Sequence, residues 1–162
     1  MLPADQKDGL PSVFISQGEL YCTATPTVIS TVLGSCISVC LWDSKRAIGG
    51  MNHFVLPYAK GRGRSLRYGD VAVEALVQKM LALGSNPRDI EAKLFGGASA
   101  MPSQQSQAVG DGNLAVAIDV LERAGITLAA RSTGGSSGCV IHFHTASGEV
   151  LVRRLGTLTQ AS

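Results

Sequence analysis

Between Pro26 and Pro57 the chain passes through three short apolar, β-branched runs separated by tight turns, and this succession narrows the possible folds more than any other feature. PTVISTV, CISVCLWD and AIGGMNHFVLP are bounded by Gly, Pro or Asp, as strands are. The polar turn Asp43 to Arg46 joins the last two as a hairpin. ELYCTAT reads as a further strand before them, so strands dominate the first third. Helical periodicity enters at Asp70 to Leu83, where Val73, Leu76, Val77, Met80 and Leu83 share one face, with Asp70 as N-cap and Gly84 as the stop. AKLFGGA then reads as a buried strand ending in a glycine turn, Ser99 to Gly110 as a polar, mobile loop, and Asn113 to Arg123 as a second helix ended by Gly125. ITLAARS, CVIHFHT and GEVLVRRL add three strands, the last two a hairpin across Ala146 and Ser147. Seven or eight strands and two helices predict an α+β domain, with mixed β-sheets packed as a sandwich and two main helices on the outside.

A chain of 162 residues that is 45% hydrophobic and 16% charged can bury one core without metals or disulfides. No linker or repeat divides it, so residues 18–162 are expected to form a single domain behind a loose leader, residues 1–17. That leader carries Asp5, Lys7 and Asp8 where a signal peptide needs an apolar stretch, and no run approaches the roughly 18 to 20 apolar residues of a membrane helix. Direct membrane insertion is therefore not expected. A formal net charge of +2 is too small for a protein built around nucleic-acid phosphates. Cys22, Cys36, Cys40 and Cys139 are expected to be reduced thiols.

Chemistry concentrates at Gly34-Ser35-Cys36, where small residues let the backbone turn sharply and leave a thiol and backbone amides accessible. A thiol needs a base to react at neutral pH, and His53 lies in the strand expected to pair with the one that Cys36 begins. Taken alone, each residue has a blander reading: free Cys beside glycine is commonly core, and an isolated His is commonly a satisfied structural residue. A zinc site from Cys36, Cys40, His142 and His144 is the rival from another class, although Cys-x-x-x-Cys is not the usual close pair of structural zinc sites. Gly96-Gly97 and the GRGR segment lack the strand, glycine spacing and helix order of a phosphate loop. Lys60, Arg62, Arg64 and Arg67 read as an exposed basic loop that serves either as a solvated segment or as a docking surface.

TVLGSCISVCLWD followed by GGMNHFVLP resembles the CheD family of chemoreceptor glutamine deamidases. RYGDVAVEALVQKML, AKLFGGASAM, GITLAARSTGG and TASGEVLVRRL resemble that family's later blocks in order, so the likeness spans residues 18 to 155. It implies a catalytic Cys at Cys36, a His at His53 and a hydroxyl at Ser30, with Thr31 as the competing assignment. Only one of the two can face His53, because neighbours in a strand point to opposite faces. Cys139, Ser136 and Ser137 depart from the Arg, Asn and Arg that the family pattern carries there.

The resemblance further implies a cofactor-free, cytoplasmic cysteine hydrolase acting on glutamines of chemoreceptor cytoplasmic helical bundles, with a CheC-type phosphatase as a further partner. In that chemistry a Cys36 thiolate attacks the carboxamide, the backbone amides of Ser35 and Cys36 hold the oxyanion, and His53 protonates the departing ammonia. Water then hydrolyses the thioester to leave glutamate. A non-catalytic adaptor on the same fold is the alternative, one with no need of an activated thiol.

Overall fold

The computed structural model describes residues 9–99 and 104–156, with side chains of the second helix described from residue 107. Nine strands and two helices form over these residues: β1 (Ser12–Phe14), β2 (Glu19–Thr23), β3 (Val28–Leu33), β4 (Ile37–Asp43), β5 (Ile48–His53), α1 (Gly69–Ala82), β6 (Ile90–Gly96), α2 (Gln104–Arg123), β7 (Thr127–Thr133), β8 (Cys139–His144) and β9 (Val150–Arg154). A four-stranded sheet runs β1-β3-β8-β9 and a five-stranded sheet runs β2-β5-β4-β6-β7. The pairs β1–β3 and β6–β7 are parallel and the others antiparallel, so both sheets are mixed.

Period-two alternation in β4 divides the core into two layers. Ile37, Val39 and Leu41 face α1 and α2, where they meet Val73, Leu76, Met80, Val116 and Leu121. Cys36 and Cys40 face the other way, into a second core with Ile29, Leu33, Met51, Ile141 and Phe143 between the two sheets. The five-stranded sheet is thus covered on both sides, which is why β4 and β5 read as near-continuous apolar runs.

Three expectations are corrected. The leader is not loose throughout: residues 12–14 form β1, whose parallel pairing to β3 (Val13 beside Ile29) brings Ile15 into the inter-sheet core; residues 1–8 lie outside the described residues. The second helix begins at Gln104, nine residues before Asn113, and takes in most of the stretch read as a loop; residues 100–103 of that stretch lie outside the described residues. Gly110 and Gly112 suggested a break, but Gly112 sits against Pro57, where a Cβ would come within 3.2 Å of the ring, and Asn113 Nδ2 donates to Val55 O (2.9 Å). Finally, Tyr68 rather than Asp70 occupies the N-cap of α1; Asp70 lies inside the first turn, and its Oδ1 accepts from Ala59 N and Val71 N.

Asn52 fixes the middle of this arrangement. It is fully buried in β5, its Oδ1 accepts from Val39 N (2.9 Å) and its Nδ2 donates to Ala72 O (3.1 Å). The carboxamide therefore joins β4, β5 and α1 at the residue next to His53, and a buried amide so satisfied favours one register.

Candidate active site

The β4–β5 register brings the two sequence-predicted residues together. Cys40 lies opposite Met51 and Ile37 opposite Phe54, which sets Ser38 opposite His53 and Cys36 opposite Val55. Cys36 and His53 are then diagonal neighbours on the face turned toward the four-stranded sheet, where Cα atoms lie about 7–8 Å apart and side chains can meet. Both are buried, at 6% and 4% exposure.

From the opposing sheet, β3 supplies the hydroxyl, and it is Thr31. Its Oγ1 lies 2.8 Å from His53 Nδ1. Ser30, preferred from the sequence, points to the far face of its sheet, where Oγ lies 2.8 Å from Nδ1 of its cross-strand neighbour His142. The reason is strand parity: Ile29, Thr31 and Leu33 share the inter-sheet face, so Ser30 cannot.

The Thr31 hydroxyl also assigns the tautomer of His53. Its one proton is given to Ile15 O at 2.7 Å, because a carbonyl can only accept. The contact with His53 must therefore be donated by Nδ1–H, leaving Nε2 with a bare lone pair. Among the described residues Nε2 is buried and without a hydrogen-bond partner, as is Ser38 Oγ on the facing position. An unpaired buried acceptor is costly in a folded chain.

Burial favours the neutral forms of both Cys36 and His53. Burial pushes the imidazole of His53 down from 6.5 to about 4, and Thr31, being uncharged, gives an imidazolium no counter-charge. Burial likewise pushes the Cys36 thiol above the ordinary thiol value, opposed by the positive charge of Arg67. Burial thus favours the neutral thiol and the neutral imidazole over an ion pair of the two.

The turn before β4 is held by its carbonyls. Gly34 O accepts from Ala98 N and Cys36 O from Gly97 N, both at 2.9 Å, while the N–H groups of Ser35 and Cys36 have no backbone acceptor among the described residues. Gly96 makes this approach possible: its φ is +110°, and a Cβ there would collide with Cys36 O. Gly96, Gly97 and Ala98 thus brace the Gly34–Cys36 turn, where the sequence offered a glycine turn after a buried strand and, at Gly96-Gly97, an unconvincing phosphate loop. Asn52, Ile15 and Arg67 were also missed as site residues; the FGGA turn, for the clamp, was the one signal present.

The zinc set does not assemble. Cys36 and Cys40 lie between the sheets, whereas His142 and His144 share the parity of Ser30's partner and lie on the far face of β8. A cavity of about 620 Å³ opens on the helix side of the Gly34–Cys36 turn, lined by Ser35, Ile37, Ala98, Asp111, Leu114 and Thr133 among others. It does not include the Cys36 thiol, which faces the other way. No described helix is long and apolar enough to cross a membrane.

Residues 55–154 match a family model described as CheD chemotactic sensory transduction. The chain is 48% identical over 149 residues to the probable chemoreceptor glutamine deamidase CheD of Rhodospirillum rubrum, covering 91% of this chain and 85% of that one. The protein of that name from Sulfurimonas denitrificans is 41% identical over 143 residues, covering 86% and 92%. That from Caulobacter vibrioides is 41% identical over 153 residues, covering 92% and 81%. Among solved structures, the Bacillus licheniformis hypothetical protein YfiH is a distant likeness, with a TM-score of 0.48 and 18% identity over 73% of this chain and 50% of that one.

Proposed function

The chain belongs to the CheD family, and from that premise we propose that it deamidates glutamine side chains of chemoreceptors through a Cys36 thioester. The observation that carries the reading is the bare, buried Nε2 of His53 on the face it shares with Cys36, its tautomer set through Thr31 and Ile15 O. Nε2 takes the thiol proton while the sulfur attacks the carboxamide carbon. The N–H groups of Ser35 and Cys36 hold the oxyanion: the bond from Ala98 N to Gly34 O fixes the peptide that carries Ser35 N–H, the bond from Gly97 N to Cys36 O anchors the far side of Cys36, and among the described residues neither proton has a backbone acceptor. The C–N bond then breaks, and the proton on Nε2 leaves with ammonia. Water gives a proton to Nε2 and its oxygen to the thioester carbon; the C–S bond then breaks, the proton on Nε2 passes to the Cys36 sulfur, and glutamate is released. Thr31 keeps the ring in one orientation throughout.

The substrate class is supported by the names of the relatives, chemoreceptor glutamine deamidases; the cytoplasmic location and a CheC-type phosphatase partner rest on the family resemblance alone. The exposed loop of Lys60, Arg62 and Arg64 supplies positive charge suited to an acidic helical bundle. Hydroxylamine tests the thioester step: added during turnover of a chemoreceptor cytoplasmic fragment, it is expected to divert product from glutamate to glutamyl hydroxamate in proportion to its concentration. Continued deamidation with no hydroxamate at any concentration would remove the covalent intermediate from the mechanism.

A further inference from the structure

Proton transfer from Cys36 to His53 leaves a thiolate beside an imidazolium that burial disfavours, and the uncharged hydroxyl of Thr31 offsets neither charge, so a further positive charge near the sulfur would favour the step. His53 lies in a low-polarity gap, and the other titratable groups gathered there, Cys40 and Cys139, are thiols kept neutral by burial. Arg67, at the end of the basic loop, is placed differently from its neighbours Lys60, Arg62 and Arg64. Its carbonyl accepts from Val55 N (2.9 Å) and Leu56 N (3.1 Å), and Val55 is the residue opposite Cys36 across the β4–β5 register. Its side-chain stem crosses Gly18, where a Cβ would fall 2.9 Å from Arg67 Cγ and 3.9 Å from Cδ. Gly18 N in turn donates to His53 O at 2.8 Å.

The residue is thus anchored at two points, beside the strand position facing Cys36 and beside the backbone of His53. Its guanidinium is exposed, and among the described residues no carboxylate pairs with it. We propose that Arg67 is a positioning residue of this site, whose guanidinium stabilises the negative charge that develops on the Cys36 sulfur as His53 takes its proton. This rests on the reading of Cys36 as the nucleophile. Arg67 is the charged group that bears on the Cys36 thiol, which it draws toward the thiolate against the opposing effect of burial, whereas His53 is governed by burial alone. A lysine on the same backbone would carry the same charge; an uncharged glutamine would not.

The test is the pH profile of Cys36 alkylation by iodoacetamide, read at the Cys36 peptide, for the full chain and its Arg67→Gln, Arg67→Lys and Arg64→Gln variants. Arg67→Gln is expected to be alkylated roughly two- to fivefold more slowly near neutral pH, the range for one exposed charge, with its profile moved to higher pH. Arg67→Lys and Arg64→Gln are expected to follow the unaltered protein. High salt should move the unaltered protein's profile in the same direction, since an exposed charge is screened. Superimposable profiles for Arg67→Gln and the unaltered protein would overturn the proposal, and so would an equal displacement in Arg64→Gln. Should Arg67→Gln fail to fold by circular dichroism, a salt-independent profile in the unaltered protein would overturn it instead. Alkylation needs no receptor, so its outcome is separate from whether the chain deamidates one.

Discussion

Two hydroxyl residues side by side in one strand offer the same chemistry on paper, and only their parity tells them apart. Thr31 faces the inter-sheet gap and accepts from His53, while Ser30 faces outward to His142. Thr31→Val removes the acceptor for Nδ1–H at nearly constant volume and frees the ring to turn or change tautomer. It is expected to lower kcat about 10- to 100-fold, a share of what general-base catalysis supplies, with KM little changed. Ser30→Ala is expected to keep kcat within about twofold and to cost about 1 kcal/mol of stability for its lost hydrogen bond. Steady-state kinetics on the pair check this, and the reverse ranking would return the orienting role to Ser30. That Cys36 and His53 lie on neighbouring strands was legible from their hairpin context, whereas their reading as nucleophile and base came from the family resemblance, since each residue alone has a blander reading. The Ser30 or Thr31 choice was not, since parity is relative: it needs to be known which face of β3 the second sheet covers, and that depends on β8 and β1, far away in sequence.

At the scale of elements, the end of β6 braces the turn that carries the nucleophile. Gly96 adopts a φ of +110° where a Cβ would collide with the Cys36 carbonyl, and Gly97 N and Ala98 N bond the turn's oxygens. Gly96→Ala introduces both an unfavourable φ and a collision with backbone that cannot step aside. A stability loss of about 3 kcal/mol or more is expected, measured by urea denaturation, together with loss of most activity in whatever fraction remains folded. Unchanged stability and activity would show that the clamp is not needed. Elements with strong periodicity, β3, β4 and α1, were legible to within a residue or two, while β5 ends at His53, four residues before the end of the run read as its strand. The start of α2 and the strand β1 were not: a helix whose first turns are polar with two glycines reads as a loop, and a three-residue strand is held by its pairing to β3 rather than by any pattern of its own.

For the molecule as a whole, the three layers place a neutral imidazole where water scarcely reaches, and that links stability to pH. His53 titrates at 6.5 when unfolded and at about 4 when folded, so over that interval the unfolded chain binds the extra proton. Stability is therefore full above about 6.5 and falls as pH drops through the window toward 4, by about 1 to 2 kcal/mol once residual solvation of the ring is allowed for. Urea midpoints measured across the window should fall for the unaltered protein, and the fall should be shallower in His53→Gln; equal slopes would place the neutral, buried His53 in doubt. The central claim is tested most directly by intact-mass and peptide mass spectrometry of a chemoreceptor cytoplasmic fragment incubated with the protein, with Cys36→Ala and His53→Ala alongside. The account predicts the mass gain of amide-to-acid conversion at discrete glutamines with the unaltered protein, and no gain with either variant. A bound but unconverted receptor, or conversion that persists in Cys36→Ala, would contradict it.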